Sequence, residues 1–268
     1  MMFDVEKIKK ECKRHPRVRE VVHEVLLFDR VGSTNQIALE MASNGLPGGI
    51  VILAESQEQG KGRLGRKWFS PEGVNLYLSL FLRPHQPPRE FPLFSLATSV
   101  ALVDAVARVT GLSPAIKWPN DVLIQDKKIA GILLESETGG GQTPPLVIGI
   151  GVNVNLNPAS LPPELQETAG SLMGALGKEV DRTVLTIAIL EALSEQILLL
   201  QEGKTDLLIQ AMNQKCRTLG KKVRVDTHRQ TFEGRAEEIE EDGALMIRMG
   251  DGKLRRILIG DITHLRET

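Results

Sequence analysis

Hydrophobic and polar positions along the chain follow two periods, and the switch between them outlines the elements. "VNLYLSLFL" alternates, so Val74, Leu76, Leu78, Leu80 and Leu82 share one face of a strand. "GIVILAES" and "PLVIGIGVNVNL" read as buried strands, and a shorter strand lies near Val25–Phe28. "AIKWPNDVLIQDKKIAGILLES" reads as a strand, a break at Pro119, and a hairpin turning at Asp126–Lys127. Helical patterns cover residues near 34–44, 91–110, 182–202 and 204–216, the second closed by Gly111. Ser33 and Gln36 have capping-box spacing, which puts Ser33, Thr34 and Asn35 at a helix N-terminus.

The pattern changes character at both ends. Residues 1–25 are a charged lead-in with room for at most one short helix, too little for a helix-turn-helix module. After Gly220, "KKVRVDT", "TFEGRAEEIE", "GALMIRM" and "KLRRILIGDI" are short strands between polar turns, the pattern of a small β-barrel. The expected organisation is therefore 1–25 lead-in, 26–218 main domain and 219–268 small β domain.

Composition narrows the function classes. The chain has 268 residues, 41% of them hydrophobic, enough for a sizeable core. Its formal net charge of −1 provides no global field for nucleic acid. Two cysteines, Cys12 and Cys216, form no CxxC pair, and the five histidines are scattered. No signal peptide is legible, and apolar runs break before membrane-spanning length; a cytoplasmic protein without DNA or membrane partners is expected.

Against that neutral background, "GKGRLGRKW" places Lys61, Arg63, Arg66 and Lys67 between Gly60, Gly62 and Gly65. The glycines satisfy G-x-G-x-x-G, but Pro71, Gly73 and an alternating strand follow, so no dinucleotide-binding helix can start there. A P-loop fails for want of G-K-[ST]. What remains is a strand-to-strand loop whose glycines allow closure and whose cations attract an anion; an ordinary exposed basic loop has the same composition.

Three other segments carry candidate chemistry. In "VIGIGVNVN", Gly149, Gly151 and Asn153 share the strand face opposite Ile148, Ile150 and Val152. Two missing side chains clear a floor for a ligand, with an amide at its end. "KWPND" crowds Lys117, Trp118, Asn120 and Asp121 around Pro119, and Asp121 is a candidate Mg²⁺ ligand through a nucleotide. In "KKIAGILLE", strand parity sends Lys127 and Lys128 to opposite faces without saying which faces a pocket.

Taken in order, "GSTN", "AESQEQGKGRLGRKWFSPEGVNLYLSL", "KWPNDVLI", "KKIAGILLE" and "GIGVNVN" resemble a biotin protein ligase, and "LGKKVRV…GDITHLR" resembles that family's SH3-like domain. The resemblance implies an α+β fold: a mixed β-sheet with flanking helices, related to class II aminoacyl-tRNA synthetases, plus a small C-terminal SH3-like barrel. It implies ATP and biotin as substrates, Mg²⁺, biotinyl-5′-AMP as the activated product, and a biotin carboxyl carrier domain as acceptor; a homodimer is left open. Carried over residue by residue, Ser33, Thr34, Asn35 and Gln57 hold the biotin rings. Gly60, Lys61, Gly62 and Arg63 form the closing loop. Gly131, Leu133, Gly149 and Gly151 line the biotin slot. Trp68 stacks on adenine, while Arg66, Lys117, Asn120, Asp121 and Asn153 serve the adenylate. The resemblance selects Lys128 over Lys127 as the lysine at the biotin carboxyl and α-phosphate, with Arg63 and Asp121 as the other catalytic residues. The family more often has Arg where this chain has Lys61, and Lys lacks the planar fork for bidentate binding.

Two other readings use the same residues. A lipoate or octanoate ligase usually has consecutive glycines followed by His, whereas "GGG" at 139–141 is followed by Gln142. A non-catalytic biotin sensor would bind the vitamin without releasing pyrophosphate.

Overall fold

The computed structural model describes residues 2–137, 144–227, 230–258 and 260–265. The Gly139–Gly141 run, Ile259 of "KLRRILIGDI" and Arg266 of "GDITHLR" lie outside these residues.

Seven strands form the main sheet: β1 (Glu24–Val31), β2 (Ile50–Gln57), β3 (Leu76–Leu82), β4 (Ala115–Lys117), β5 (Asp121–Ile124), β6 (Lys127–Glu135) and β7 (Leu146–Val152). Their order is β1-β2-β3-β7-β6-β5-β4. Only β1 and β2 pair in parallel, so the sheet is mixed. That pair needs a crossover, supplied by α3 (Thr34–Ser43). The α+β expectation holds.

The sheet is apolar on both faces because helices cover both. Leu76, Leu78, Leu80 and Leu82 pack into the core that includes α4 (Phe91–Thr110) and α6 (Arg182–Gln201). Ile52, Phe81 and Val147 point the other way, onto Ala38 and Ala42 of α3. By length and apolarity α4 and α6 could each cross a bilayer, contrary to the sequence expectation, but both are largely buried in the core. Gly111 ends α4 at φ +72°, a left-handed cap that suits glycine.

The first residues hold two helices where one was expected: α1 (Val5–Arg14) and α2 (Pro16–Val21). His15 breaks the run and Pro16 restarts it at the first helical position. Ile8, Cys12, Val18 and Val21 join the main core. Phe3 donates its backbone N–H to Glu55 Oε1 (3.1 Å) and lies under Arg182, whose Cζ is 4.2 Å from the ring centroid. Glu55 and Arg182 form a buried ion pair at 2.8 Å, and Arg182 also donates to the Asn75 carbonyl (3.0 Å).

Following α7 (Thr205–Lys215), β8 (Lys222–Asp226), β9 (Thr231–Ile239), β10 (Leu245–Met249), β11 (Leu254–Ile257) and β12 (Asp261–His264) form an antiparallel, SH3-like unit in the order β11-β10-β9-β8-β12. Val223, Val225, Leu245 and Ile247 belong to the same continuous core as α4.

Two local expectations are corrected. Ser33 is the N-cap of α3 but its side chain makes no capping bond, and Gln36 reaches forward to Glu40 (3.1 Å). Gln57 takes the capping role: its Oε1 accepts from the Thr34 N–H (2.9 Å) and from Thr34 Oγ1 (3.2 Å). The β5–β6 hairpin turns at Gln125–Asp126, one residue earlier than expected, with φ of +51° and +63°. Both central residues in the left-handed region match the twist of a two-residue hairpin, and the pairing of Ile124 with Lys127 fixes it there.

Candidate active site

The sheet brings the motifs together. Every residue that the resemblance assigns to the site lines one cavity of about 980 Å³, except Gly60, which sits at the base of the glycine-rich loop. That volume is at the upper end for a small-molecule site.

At one end lies a polar cluster. Thr34 and Asn35 start α3, and both are buried. Gln57 joins Thr34 to the loop, its Nε2 donating to Ser70 Oγ (3.1 Å), which donates to the Trp68 carbonyl (2.9 Å). Ser79 lies 2.7 Å from Thr34 Oγ1 and 2.5 Å from Asn35 Oδ1. Asn35 Nδ2 donates to Glu135 (2.7 Å) and to the Leu133 carbonyl (3.4 Å). Sequence reading missed Ser79 and Glu135. The signal for Ser79 was there: one serine inside the otherwise apolar "LYLSLFL".

The glycine floor is present, but side chains cover it. A Cβ at Gly149 would strike the Asn35 side chain, and one at Gly151 would come within 2.5 Å of the Trp68 indole. The indole also lies over Gly131. Its Nε1 is buried and has no hydrogen-bond partner among the described residues. A buried donor left unpaired points to a ligand acceptor.

The glycine-rich segment is a narrow hairpin. Lys61 pairs with Lys67, Gly62 N–H donates to the Arg66 carbonyl (2.7 Å) and Trp68 N–H to that of Gly60 (2.8 Å). Leu64, at φ +56° and mostly exposed, occupies its tip. The cations expected to await an anionic ligand face a protein carboxylate here: Asp261, at the start of β12, lies 2.5 Å from Arg66 and 3.8 Å from Arg63. Arg63 also donates to Asn120 Oδ1 (2.8 Å) and the Gly260 carbonyl (3.2 Å).

Across the cavity, Lys128 Nζ lies 2.6 Å from Asp121 Oδ1 and 5.3 Å from the Trp68 ring centroid. Lys127 points outward and donates to the Gln166 carbonyl (3.2 Å), so parity separates the two lysines as expected. Lys117 lines the cavity half-buried; desolvation lowers its pKa, countered by Asp121, while Lys128 adds to the lowering. Asn120 is pinned to β6, its Nδ2 donating to the Ile132 carbonyl (2.8 Å). Asn153 Nδ2 donates to the Gly170 carbonyl (2.9 Å). Trp118 does not face the cavity: it is 1% exposed and its Nε1 donates to the Gly243 carbonyl (3.0 Å). Thr218, Gly260 and Asp261 were missed because they lie 100, 197 and 195 residues beyond Trp118, Arg63 and Arg66, which they touch, and His264 because it bonds Thr218.

A mixed sheet carrying a buried polar cluster on one cavity together with a lysine–aspartate pair beside a cationic hairpin fits a ligase of the biotin and lipoate type. The model of the Biotin/lipoate A/B protein ligase family matches residues 27–153, and that of the biotin protein ligase C-terminal domain matches residues 218–265. The bifunctional ligase/repressor BirA of Bacillus subtilis is 34% identical over 245 residues, covering 91% of this chain and 75% of that protein. The biotin–[acetyl-CoA-carboxylase] ligase of Mycobacterium tuberculosis is 33% identical, covering 88% and 87%. A biotin protein ligase from Aquifex aeolicus, solved with biotin and ATP, superposes with a TM-score of 0.78 at 28% identity, covering 91% and 99%. The chain belongs to the biotin protein ligase family.

Proposed function

We propose that this protein joins biotin to ATP, forming biotinyl-5′-AMP and pyrophosphate, and transfers biotin to a lysine of a carboxylase's biotin-carrier domain. The observation that carries this reading is the placement of Arg63 and Lys128, from separate segments, on one cavity that also holds the Thr34–Asn35–Gln57 cluster. The ureido ring of biotin needs donors and acceptors together, which that cluster supplies. The carboxylate must then attack an anionic phosphate, and the repulsion calls for fixed positive charge.

Lys128 is the group for that task, oriented by Asp121 at 2.6 Å. Arg63 and Arg66 bring charge from the hairpin, which closes over the mixed anhydride and excludes water. The Trp68 indole, lying on Gly131 and Gly151, forms the wall between the biotin and nucleotide halves and stacks on the adenylate. Lys117, Asn120 and Asn153 complete the nucleotide side.

The described residues contain no group of three or more His, Cys, Asp or Glu side chains placed to hold a metal. Asp121 as a lone carboxylate fits Mg²⁺ carried in by nucleotide phosphates, the usual mode for this ion. When bound, the ion neutralises phosphate charge. In the transfer step the acceptor lysine must arrive as a neutral amine, and Asp121, beside Lys128 in the cavity, is the candidate carboxylate to receive its proton.

Buried free thiols at Cys12 and Cys216 support a cytoplasmic setting. A homodimer belongs to the same proposal: β1 is an edge of the seven-stranded sheet, with backbone groups a second copy can pair. The decisive experiment is pyrophosphate release with biotin and MgATP, followed by mass analysis of an added biotin-carrier domain. Lipoate replacing biotin with equal efficiency would overturn the substrate assignment.

A further inference from the structure

The turn that carries Lys117, Asn120 and Asp121 is gripped from behind by the C-terminal part of the chain. β4 is the last strand of the main sheet, and residues 216–218 pair with its outer edge: Ile116 bridges Cys216 in parallel, and Arg217 N–H donates to the Ile116 carbonyl (2.8 Å). Two residues beyond Ile116, Trp118 N–H donates to Thr218 Oγ1 (3.1 Å). Thr218 is fully buried, and its Oγ1 lies 3.0 Å from His264 Nε2. The Trp118 indole is held separately by the Gly243 carbonyl. Lys117 therefore stands between two anchored residues, and Asp121 pairs with it across the β4–β5 hairpin.

A hydroxyl has one proton and two lone pairs. Thr218 Oγ1 uses a lone pair on the Trp118 N–H, and in the tautomer that leaves Nε2 bare the hydroxyl donates its proton to His264 Nε2. That orientation requires Nε2 to be unprotonated. The environment keeps the ring neutral, the charge state this arrangement needs: desolvation first, then Lys221 and Lys117, hold the imidazole down at about 4, with Arg217 adding to the effect and Asp126 opposing it.

We infer that Thr218 and His264 are positioning residues for the nucleotide half of the site, a relay by which β12 sets the "KWPND" turn and so aims Lys117 and Asp121. The inference rests on the ligase reading above. It also gives the C-terminal unit a task at the site through the turn's backbone.

The test is steady-state kinetics of pyrophosphate release, with biotin affinity measured separately by calorimetry in the absence of ATP. Thr218→Val removes the hydroxyl at nearly constant shape, and Thr218→Ser keeps it. His264→Leu removes the acceptor, and His264→Gln supplies an amide oxygen in its place. Thr218→Val and His264→Leu are expected to raise KM for ATP about tenfold, the size of one lost buried hydrogen bond. Biotin Kd should stay within about twofold, and Thr218→Ser and His264→Gln should recover most of the loss. An unchanged KM for ATP, or equal losses of biotin and ATP binding that the conservative variants do not recover, would overturn the inference. If Thr218→Val does not fold, the half-exposed His264 pair decides alone. Failure of the wild-type protein to release pyrophosphate would instead refute the ligase reading.

Discussion

Lys128 and Arg63 reach the same cavity by different routes, and their loss should look different. Lys128 stands on a strand, its ammonium fixed by Asp121, so its charge is preorganised. Lys128→Ala is expected to slow adenylate formation by about 10²–10³ or more, with little change in melting temperature. Retained pyrophosphate release at the wild-type rate would remove Lys128 from the chemistry. Arg63 stands on the hairpin and ties it to Asn120 and Gly260. Arg63→Gly should leave adenylation measurable but let the adenylate escape, detected as free biotinyl-5′-AMP by mass spectrometry; full retention would count against a closing role. At this scale the sequence was most informative where one residue type had one job. Strand parity separated Lys127 from Lys128. It could not show that Arg63 and Arg66 meet Asp261, since nothing local links positions about 195 residues apart.

The strand carrying Gly149 and Gly151 shows what an element adds. Alternation along "VIGIGVNVN" put both glycines on one face, where they read as a floor for a ligand. Asn35 and Trp68 lie there, from α3 and from the base of the hairpin, so the gaps are sockets for side chains of the site. Gly151→Ala would set a methyl carbon 2.5 Å from the indole, and the ring would have to move. We expect KM for ATP or biotin to rise about tenfold with the fold intact, read by kinetics and circular dichroism, because a displaced wall misplaces both substrates. Wild-type kinetics in Gly151→Ala would show that the indole position is unimportant. The capping error at Ser33 has a similar origin. The spacing was right for a capping box, but Gln57 reached the Thr34 N–H from another strand and took the place of the local partner. Periodicity located the elements well, from the alternating β3 to the apolar α4. The turn at Gln125–Asp126 was missed by one residue, because strand register and not composition fixes where a hairpin turns.

Over the whole molecule, charge and burial act at a distance from the cavity. The His264 imidazole is held at about 4, against an ordinary value of 6.5. Between those values the unfolded chain binds more protons than the folded one, so stability from this group rises with pH up to about 6.5 and is lost as pH falls toward 4. The fall in melting temperature from pH 7 to pH 4.5 should be smaller in His264→Gln than in wild type; equal falls would show that the ring titrates normally. The buried Glu55–Arg182 pair carries a larger load. Glu55→Ala leaves a guanidinium without its carboxylate and should cost about 3–5 kcal/mol in chemical denaturation. The amide of Phe3 completes that pair, while Met2 beside it is 68% exposed. Trimming the chain back to Val5 would therefore strip the ring and the amide of Phe3 from that pair and uncover a charge deep in the protein.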